Sequence, residues 1–273
     1  VKELKANYNW GPNFYYHIAS KYDIHPSYIQ EILSNPRYSD EEMMAFVHFL
    51  READSGKFNK ESLDISALVY TGSESKGNFK VADVFKNKKV LLIGSSPYLI
   101  RHEREISRFA LDNDVIVASL NVSLPEFSRI VDFYIACHPV RLLTDIPFYN
   151  SVVQPLIIPF QTLPAVFKSR LQKTNILDYG MRIQSEKFGF HPNYCIVPNS
   201  LAISYALAMF SSAEAEVIFL AGFDGINLDI ETQRMLDNTI SLYLTTAQHV
   251  TVKSLTPTNL FVQKSSVYSI LED

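Results

Sequence analysis

From residue 89 onward, short β-rich apolar runs alternate with stretches of helical spacing, and this alternation limits the fold more than any other feature. The runs are Lys89–Gly94, Val115–Leu120, Val131–Cys137, Val153–Ile158, Tyr194–Val197, Val217–Ala221 and Val250–Leu255. Between several of them lie His102–Leu111, Pro164–Leu171, Asn199–Phe210 and Ile230–Thr246. Strands that are apolar on both sides need cover on both faces, and helices between them supply it. The expected fold is therefore α/β, a doubly wound, mostly parallel Rossmann-like sheet. A (β/α)₈ barrel would fit a chain of 273 residues, but these runs are not eight even βα units.

Residues 1–70 have a different texture. Phe14, Tyr15, Ile18, Ala19 and Tyr22 recur at helical spacing, as do Tyr28, Ile29, Ile32 and Leu33 after Pro26. Ser39 and Glu42 form a capping box that opens a third helix over Met43, Phe46, Val47 and Leu50. The small, polar stretch 71–78 reads as a linker. The expected organisation is a small all-helical region over 1–70, the linker, and a Rossmann-like domain over 79–273.

Composition removes several classes of function. With 25 basic against 29 acidic side chains the chain is slightly acidic, a poor match for general nucleic-acid binding. The longest apolar runs, such as Val90–Ile93, are too short to span a bilayer, and Val1–Lys5 is no signal peptide. The two cysteines, Cys137 and Cys195, form no CxxC pair, so a reduced, cytoplasmic protein is expected. Gly94 is the only glycine next to the first strand, so there is no GxGxxG fingerprint of an NAD site.

The candidate site residues lie where strands end. Gly94-Ser95-Ser96-Pro97 follows the first strand. There a glycine lets a phosphate approach the backbone and the serines can donate hydrogen bonds, though the same residues also make an ordinary strand–helix turn. Asn121 follows the second strand and could read a base or sugar edge or cap a helix. Asn199 and Ser200 open a helix apolar nearly all round, whose N-terminus carries partial positive charge. Asp224, between Gly222 and Gly225, is either a ligand-facing carboxylate or part of an Asp-Gly turn. His138 stands at a strand end as an acid or base, or as a turn residue before Pro139. Arg101, Arg104 and Arg141 are candidate positive charges nearby. His17, His25 and His48 lack the spacing of a metal site, and no metal ligand set is expected.

Two resemblances add to this reading. Tyr8-Asn9-Trp10-Gly11, Tyr16, Ile24-His25-Pro26-Ser27-Tyr28 and Glu31-Ile32-Leu33 resemble the helical region after the barrel in 4-hydroxy-2-oxovalerate aldolase-like proteins of the HMG-CoA lyase superfamily. This likeness implies that the chain is the C-terminal part of a longer, lyase-related polypeptide whose barrel is absent here. Residues 1–70 would then serve docking to an aldolase barrel or to a second copy of the chain.

The second resemblance rests on G-S-S-P, Asn121, P-N-S, L-A-G-F-D-G and Ser254-Leu255-Thr256-Pro257-Thr258. Together they are similar to the Rossmann-type domain of bacterial sialyltransferases and of the flagellin-glycosylation and 6-hydroxymethylpterin diphosphokinase-like family. The likeness implies a cytidine nucleotide or nucleotide-sugar as ligand, bound by Gly94, Ser95, Ser96, Asn121, Asn199 and Ser200. It implies a transferase of surface-carbohydrate biosynthesis; His138 and Asp224, by their strand-end positions, are the catalytic candidates, and Asp224 could hold Mg²⁺ on a diphosphate. Two departures stand against it: Ile226–Gln248 holds no histidine for the family's general base, and Leu201 replaces a glycine. A non-catalytic docking or ligand-sensing module is the alternative.

Overall fold

The computed structural model describes residues 76–270, except 164–167, 169–170, 172–174, 225–229 and 248–249. The helical region 1–70, most of the linker and most of Pro164–Leu171 lie outside the described residues. A short helix, α1 (Ala82–Phe85), leads into β1 (Lys89–Ile93), α2 (Glu103–Asp112), β2 (Ile116–Leu120) and β3 (Phe133–Ile135). Then come α3 (Pro139–Ser151), β4 (Leu156–Ile158), β5 (Ile176–Asp178), β6 (Gly180–Ile183), β7 (Gly189–His191) and β8 (Tyr194–Val197). The chain continues through α4 (Ala202–Ser212), β9 (Val217–Ala221), α5 (Ile230–Thr246), β10 (Thr251–Ser254), β11 (Gln263–Lys264) and α6 (Val267–Ile270).

Eight strands form the main sheet in the order β11-β10-β9-β1-β2-β3-β4-β5, and every neighbouring pair is parallel. The chain starts in the middle at β1, winds outward to β5, and returns to pair β9 against the other side of β1. Winding therefore reverses between β1 and β9, the place where open α/β sheets leave a crevice at the strands' carboxyl ends. Val90–Ile93 and all of β9 are buried, as two-sided cover demands.

Tyr194–Val197 departs from expectation. It is not a strand of the main sheet but the centre of a second, three-stranded sheet ordered β6-β8-β7. Its side chains alternate half-buried and buried, so only one face meets the core. The letters Tyr-Cys-Ile-Val hide that alternation because all four are apolar. α4 packs against β7 and β8 and also reaches β2. A helix held between two sheets has no free face, and Ile203 through Ser211 are all buried. Phe210 meets Phe85 edge-on at 5.1 Å, and Phe85 meets Phe133 of β3 in the same way.

Other bounds are shorter than the apolar runs. Val131–Cys137 is strand only over Phe133–Ile135, and Val153–Ile158 only over Leu156–Ile158, with Val153 fully outside the core at 87% exposure. The helix expected from Asn199 starts at Ala202. Among the described residues no helix is long and apolar enough to cross a membrane.

Candidate functional site

The ends of β1 and β9 approach without room for side chains. A methyl group on Gly94 would stand 2.5 Å from the Gly222 carbonyl oxygen, so two glycines face each other across the switch point. The Gly94 N–H donates to the Ala221 carbonyl at 2.8 Å, extending the ladder one residue past β1. Gly222 has φ +80, in the left-handed region that other residues enter only at a cost. This bend turns the chain after β9 back over the loop that follows β1.

There the Ser96 hydroxyl donates to the Asp224 carboxylate. Ser96 also accepts from the Tyr98 N–H at 3.2 Å, capping the 3₁₀ turn Pro97–His102. Ser95 is exposed beside it, while Ser96 is buried. Sequence reasoning placed Gly94, Ser95, Ser96 and Asp224 at separate strand ends, and the fold brings these four together.

A third segment, after β10, holds the Asp224 turn. Thr256 Oγ1 accepts from the Gly222 N–H at 3.0 Å, and the Thr258 hydroxyl donates to the Phe223 carbonyl. The Asn259 amide donates to the Asp224 carbonyl at 3.2 Å. Thr256, Thr258 and Asn259 were not singled out as functional positions. The signal was the Thr-Pro-Thr run itself, which follows a strand lying directly beside β9.

Asn121 lies one strand further, at the end of β2. It takes φ 56 and donates its N–H to the Ile135 carbonyl at 2.9 Å, which binds the turn to β3. Among the described residues it caps no helix, and its buried Oδ1 has no hydrogen-bond partner. Ser119 Oγ, two residues back in β2, is also buried and without a partner among the described residues. His138 follows β3, half-buried, and its carbonyl accepts from Leu142 to start α3. Neighbouring strands are about 4.8 Å apart, so Asn121 and His138 lie on the same edge within roughly 10 Å of β1.

Asn199 and Ser200 reach this edge from α4. The Cys137 thiol donates to the Ser200 carbonyl at 3.2 Å, which ties the start of α4 to the end of β3. Burial pushes the Cys137 thiol well up, so it is held as a neutral donor and not as a thiolate. Asn199 is engaged internally: its Oδ1 accepts from Leu201 N–H and the Ser204 hydroxyl, and its amide donates to Thr239 of α5. Ser200 is fully buried, and its hydroxyl has no partner among the described residues. Arg101 and Arg104 are exposed, with the Arg101 guanidinium 5.2 Å over the Tyr98 ring. The Arg141 side chain, Gly225 and His249 lie outside the described residues. Among the described residues no three His, Cys, Asp or Glu side chains gather as a metal site.

No protein-family profile matches the chain, and no curated protein does. Among solved structures the chain is similar to the MAf glycosyltransferase from Magnetospirillum magneticum AMB-1, with a TM-score of 0.52 and 10% identity. That likeness covers 85% of this chain and 43% of the glycosyltransferase, so the chain spans less than half of its length. An α-2,3-sialyltransferase from Campylobacter jejuni, in apo form, aligns at a TM-score of 0.36 and 14% identity, over 63% of this chain and 77% of that one. The second score is too low to carry an argument. At 10% identity the first establishes a shared Rossmann-like fold.

Proposed function

We propose that the α/β domain binds a nucleotide-activated sugar, or its nucleotide, and serves a transferase of carbohydrate biosynthesis. The observation that carries this reading is the Ser96–Asp224 pair at the switch point, set over two glycines that let β1 and β9 close on each other. The likeness of the fold to a glycosyltransferase supports the same reaction class.

We orient the ligand by the charges. A carboxylate beside the loop repels a bare phosphate, so Asp224 faces sugar hydroxyls or a Mg²⁺ ion carried in on a diphosphate. One carboxylate is enough for Mg²⁺, which keeps waters and takes its other ligands from phosphate oxygens. The phosphates then lie toward Ser95 and the N-terminus of α4, where the helix dipole and the Ser200 hydroxyl stabilise negative charge. Asn121 offers its Oδ1 as an acceptor to the base or sugar, and Asn199 positions α4. His138, just past β3 on the same edge, is the candidate acid or base.

Thermal unfolding in the presence of CMP, CDP, UDP and their sugars, with and without Mg²⁺, tests the reading. A ligand at a hundred times its Kd stabilises the chain by about 2.7 kcal/mol. A folded chain that no nucleotide stabilises would overturn it. The proposed docking of residues 1–70 to an aldolase barrel rests on their residue pattern alone. Copurification of the full chain with a barrel-type aldolase, lost on deleting 1–70, tests that part.

A further inference from the structure

Among the described residues six large apolar side chains are exposed, and five of them stand on two neighbouring segments. Tyr98 and Ile100 lie on the 3₁₀ turn Pro97–His102 and Leu111 near the end of α2, while Phe261 and Tyr268 lie on the chain after β10. Only Val153 is elsewhere. The two segments touch. The Tyr268 ring meets the His102 ring edge-on at 5.8 Å, its hydroxyl lies 2.9 Å from His102 Nδ1, and α6 packs against α2. Single exposed apolar side chains are ordinary, but a surface that gathers most of them in one place calls for an occupant.

Cations gather on the same segments. Ile106, Phe109 and Ala110 mark the core side of α2, so helical spacing turns Arg104, Arg108 and Leu111 to the opposite face, with Arg101 one turn earlier. Lys264 is exposed between Phe261 and Tyr268, and residues 257–270 hold no acidic side chain. Arg108 is bonded to Asp112 at 3.1 Å, whereas Arg101, Arg104 and Lys264 are in no ion pair among the described residues. The nearby acids Glu103 and Glu105 are half-buried on the flanks of α2, where Glu103 accepts from Ser107. Phe261 is held outward by its own backbone. Leu260 before it is buried, the Val262 N–H donates to the Leu260 carbonyl at 2.9 Å, and this tight turn leaves the Phe261 ring 80% exposed.

We propose that this surface rests on a membrane that carries anionic lipid, with Phe261 and Leu111 entering below the headgroups and Arg101, Arg104 and Lys264 on their phosphates. The order of the side chains argues for lipid. A protein interface has an apolar centre and a charged rim. Here the arginines stand in the middle of the α2 face, with Tyr98 and Ile100 before them and Leu111 after. Apolar tips held apart in this way fill no single protein pocket, but each can enter a bilayer alone. Arg101 and Arg108 are seven residues apart, at least about 10 Å along a helix, so an array of headgroups spans them and one phosphate does not. Tyr98 and Tyr268 suit the headgroup level, where one end of a ring is apolar and the other wet. The Tyr98 N–H donates to Ser96, so the same contact sets the β1–β9 edge beside the lipid. On the transferase reading, a lipid-borne acceptor is met there; the membrane contact itself does not rest on that reading.

The test is cosedimentation of the full chain with vesicles of phosphatidylcholine, alone or with a third of the lipid replaced by phosphatidylglycerol, at low and at physiological salt. Binding to the mixed vesicles is expected, stronger at low salt. Arg104→Gln should weaken it about fivefold, the worth of one basic residue at an anionic surface. Phe261→Ser should weaken it about tenfold through lost apolar burial. Both side chains are exposed, so these variants fold like the parent, which their unfolding temperatures check. Thermal scans with nucleotides on the same samples report the transferase reading separately. Three outcomes overturn the proposal: no binding to the mixed vesicles, equal binding to phosphatidylcholine alone, or undiminished binding by a folded chain carrying both Phe261→Ser and Leu111→Ser.

Discussion

The two sides of the main sheet's carboxyl edge are finished differently. Around β1 and β9, Ser96, Asp224, Thr256, Thr258 and Asn259 form one hydrogen-bonded set fastened to the backbone of residues 222–224. Around β2 and β3, Ser119 Oγ, Asn121 Oδ1 and Ser200 Oγ are buried and have no partner among the described residues. A buried polar group without a partner costs about 1–3 kcal/mol, so a fold keeps few of them. The first side is held together by its own hydrogen bonds, so Asp224 is fixed in place before any ligand arrives. On the proposed function, the second side holds buried groups that a ligand would complete.

The strongest way to break the contrast is at its glycine seam. Gly94→Ala puts a methyl group against backbone, which can yield only by separating β1 from β9. We expect a loss of about 3 kcal/mol in urea denaturation, and a much smaller loss would mean that the seam is loose. Thr256→Val comes next, leaving the Gly222 N–H without its acceptor, and should cost about 2 kcal/mol by the same measurement. Asp224→Asn keeps the shape of the Ser96 contact and should cost no more than about 1 kcal/mol, while removing nucleotide-dependent stabilisation in thermal scans. On the other side, Ser200→Ala should change stability by no more than about 0.5 kcal/mol, in either direction, yet reduce the nucleotide shift. If it destabilises the chain as Thr256→Val does, the two sides are alike and the contrast fails.

A smaller, pH-dependent effect lies outside both sides, at the end of β5. Asp178 is buried at 3% exposure; its Oδ1 accepts from the Gln161 N–H and its Oδ2 has no partner among the described residues. Burial raises its pKa, against backbone hydrogen bonds and Lys168 that lower it. The folded state therefore holds this proton more tightly than the unfolded one. Its contribution to stability falls as pH climbs above the ordinary carboxylate value near ~3.9 and levels off above the raised value. Asp178→Asn should flatten that part of the stability–pH curve, and an unchanged slope there would assign it to other carboxyls such as Asp132, which burial also raises.

The parallel sheet was legible because its strands are buried on both faces, and an unbroken apolar run records that burial directly. The small sheet was not, since Tyr194–Val197 alternates in burial but not in letters, and β6 and β7 are only four and three residues long. α3 was missed because Pro147 inside it reads as a breaker, while Pro139 at its start is favourable. Within the site, Gly94, Ser96 and Asp224 were legible as strand-end residues. That Ser96 and Asp224 meet depends on β9 returning beside β1 after more than a hundred residues, which no local pattern encodes. Asn199 illustrates the opposite case, where a residue type suited to ligand contact is engaged within the fold.

The two cysteines stand in the two sheets: Cys137 just past β3 of the main one, Cys195 within β8 of the small one, and neither is exposed. Each thiol is shut off from reagents until its own region opens. A chain treated with an alkylating agent under native conditions thus carries two internal clocks, one per sheet. Equal labelling rates would mean that the sheets open as one cooperative unit, and unequal rates would rank them. No probe has to be introduced, because the sequence holds one in each region and no third to confuse them.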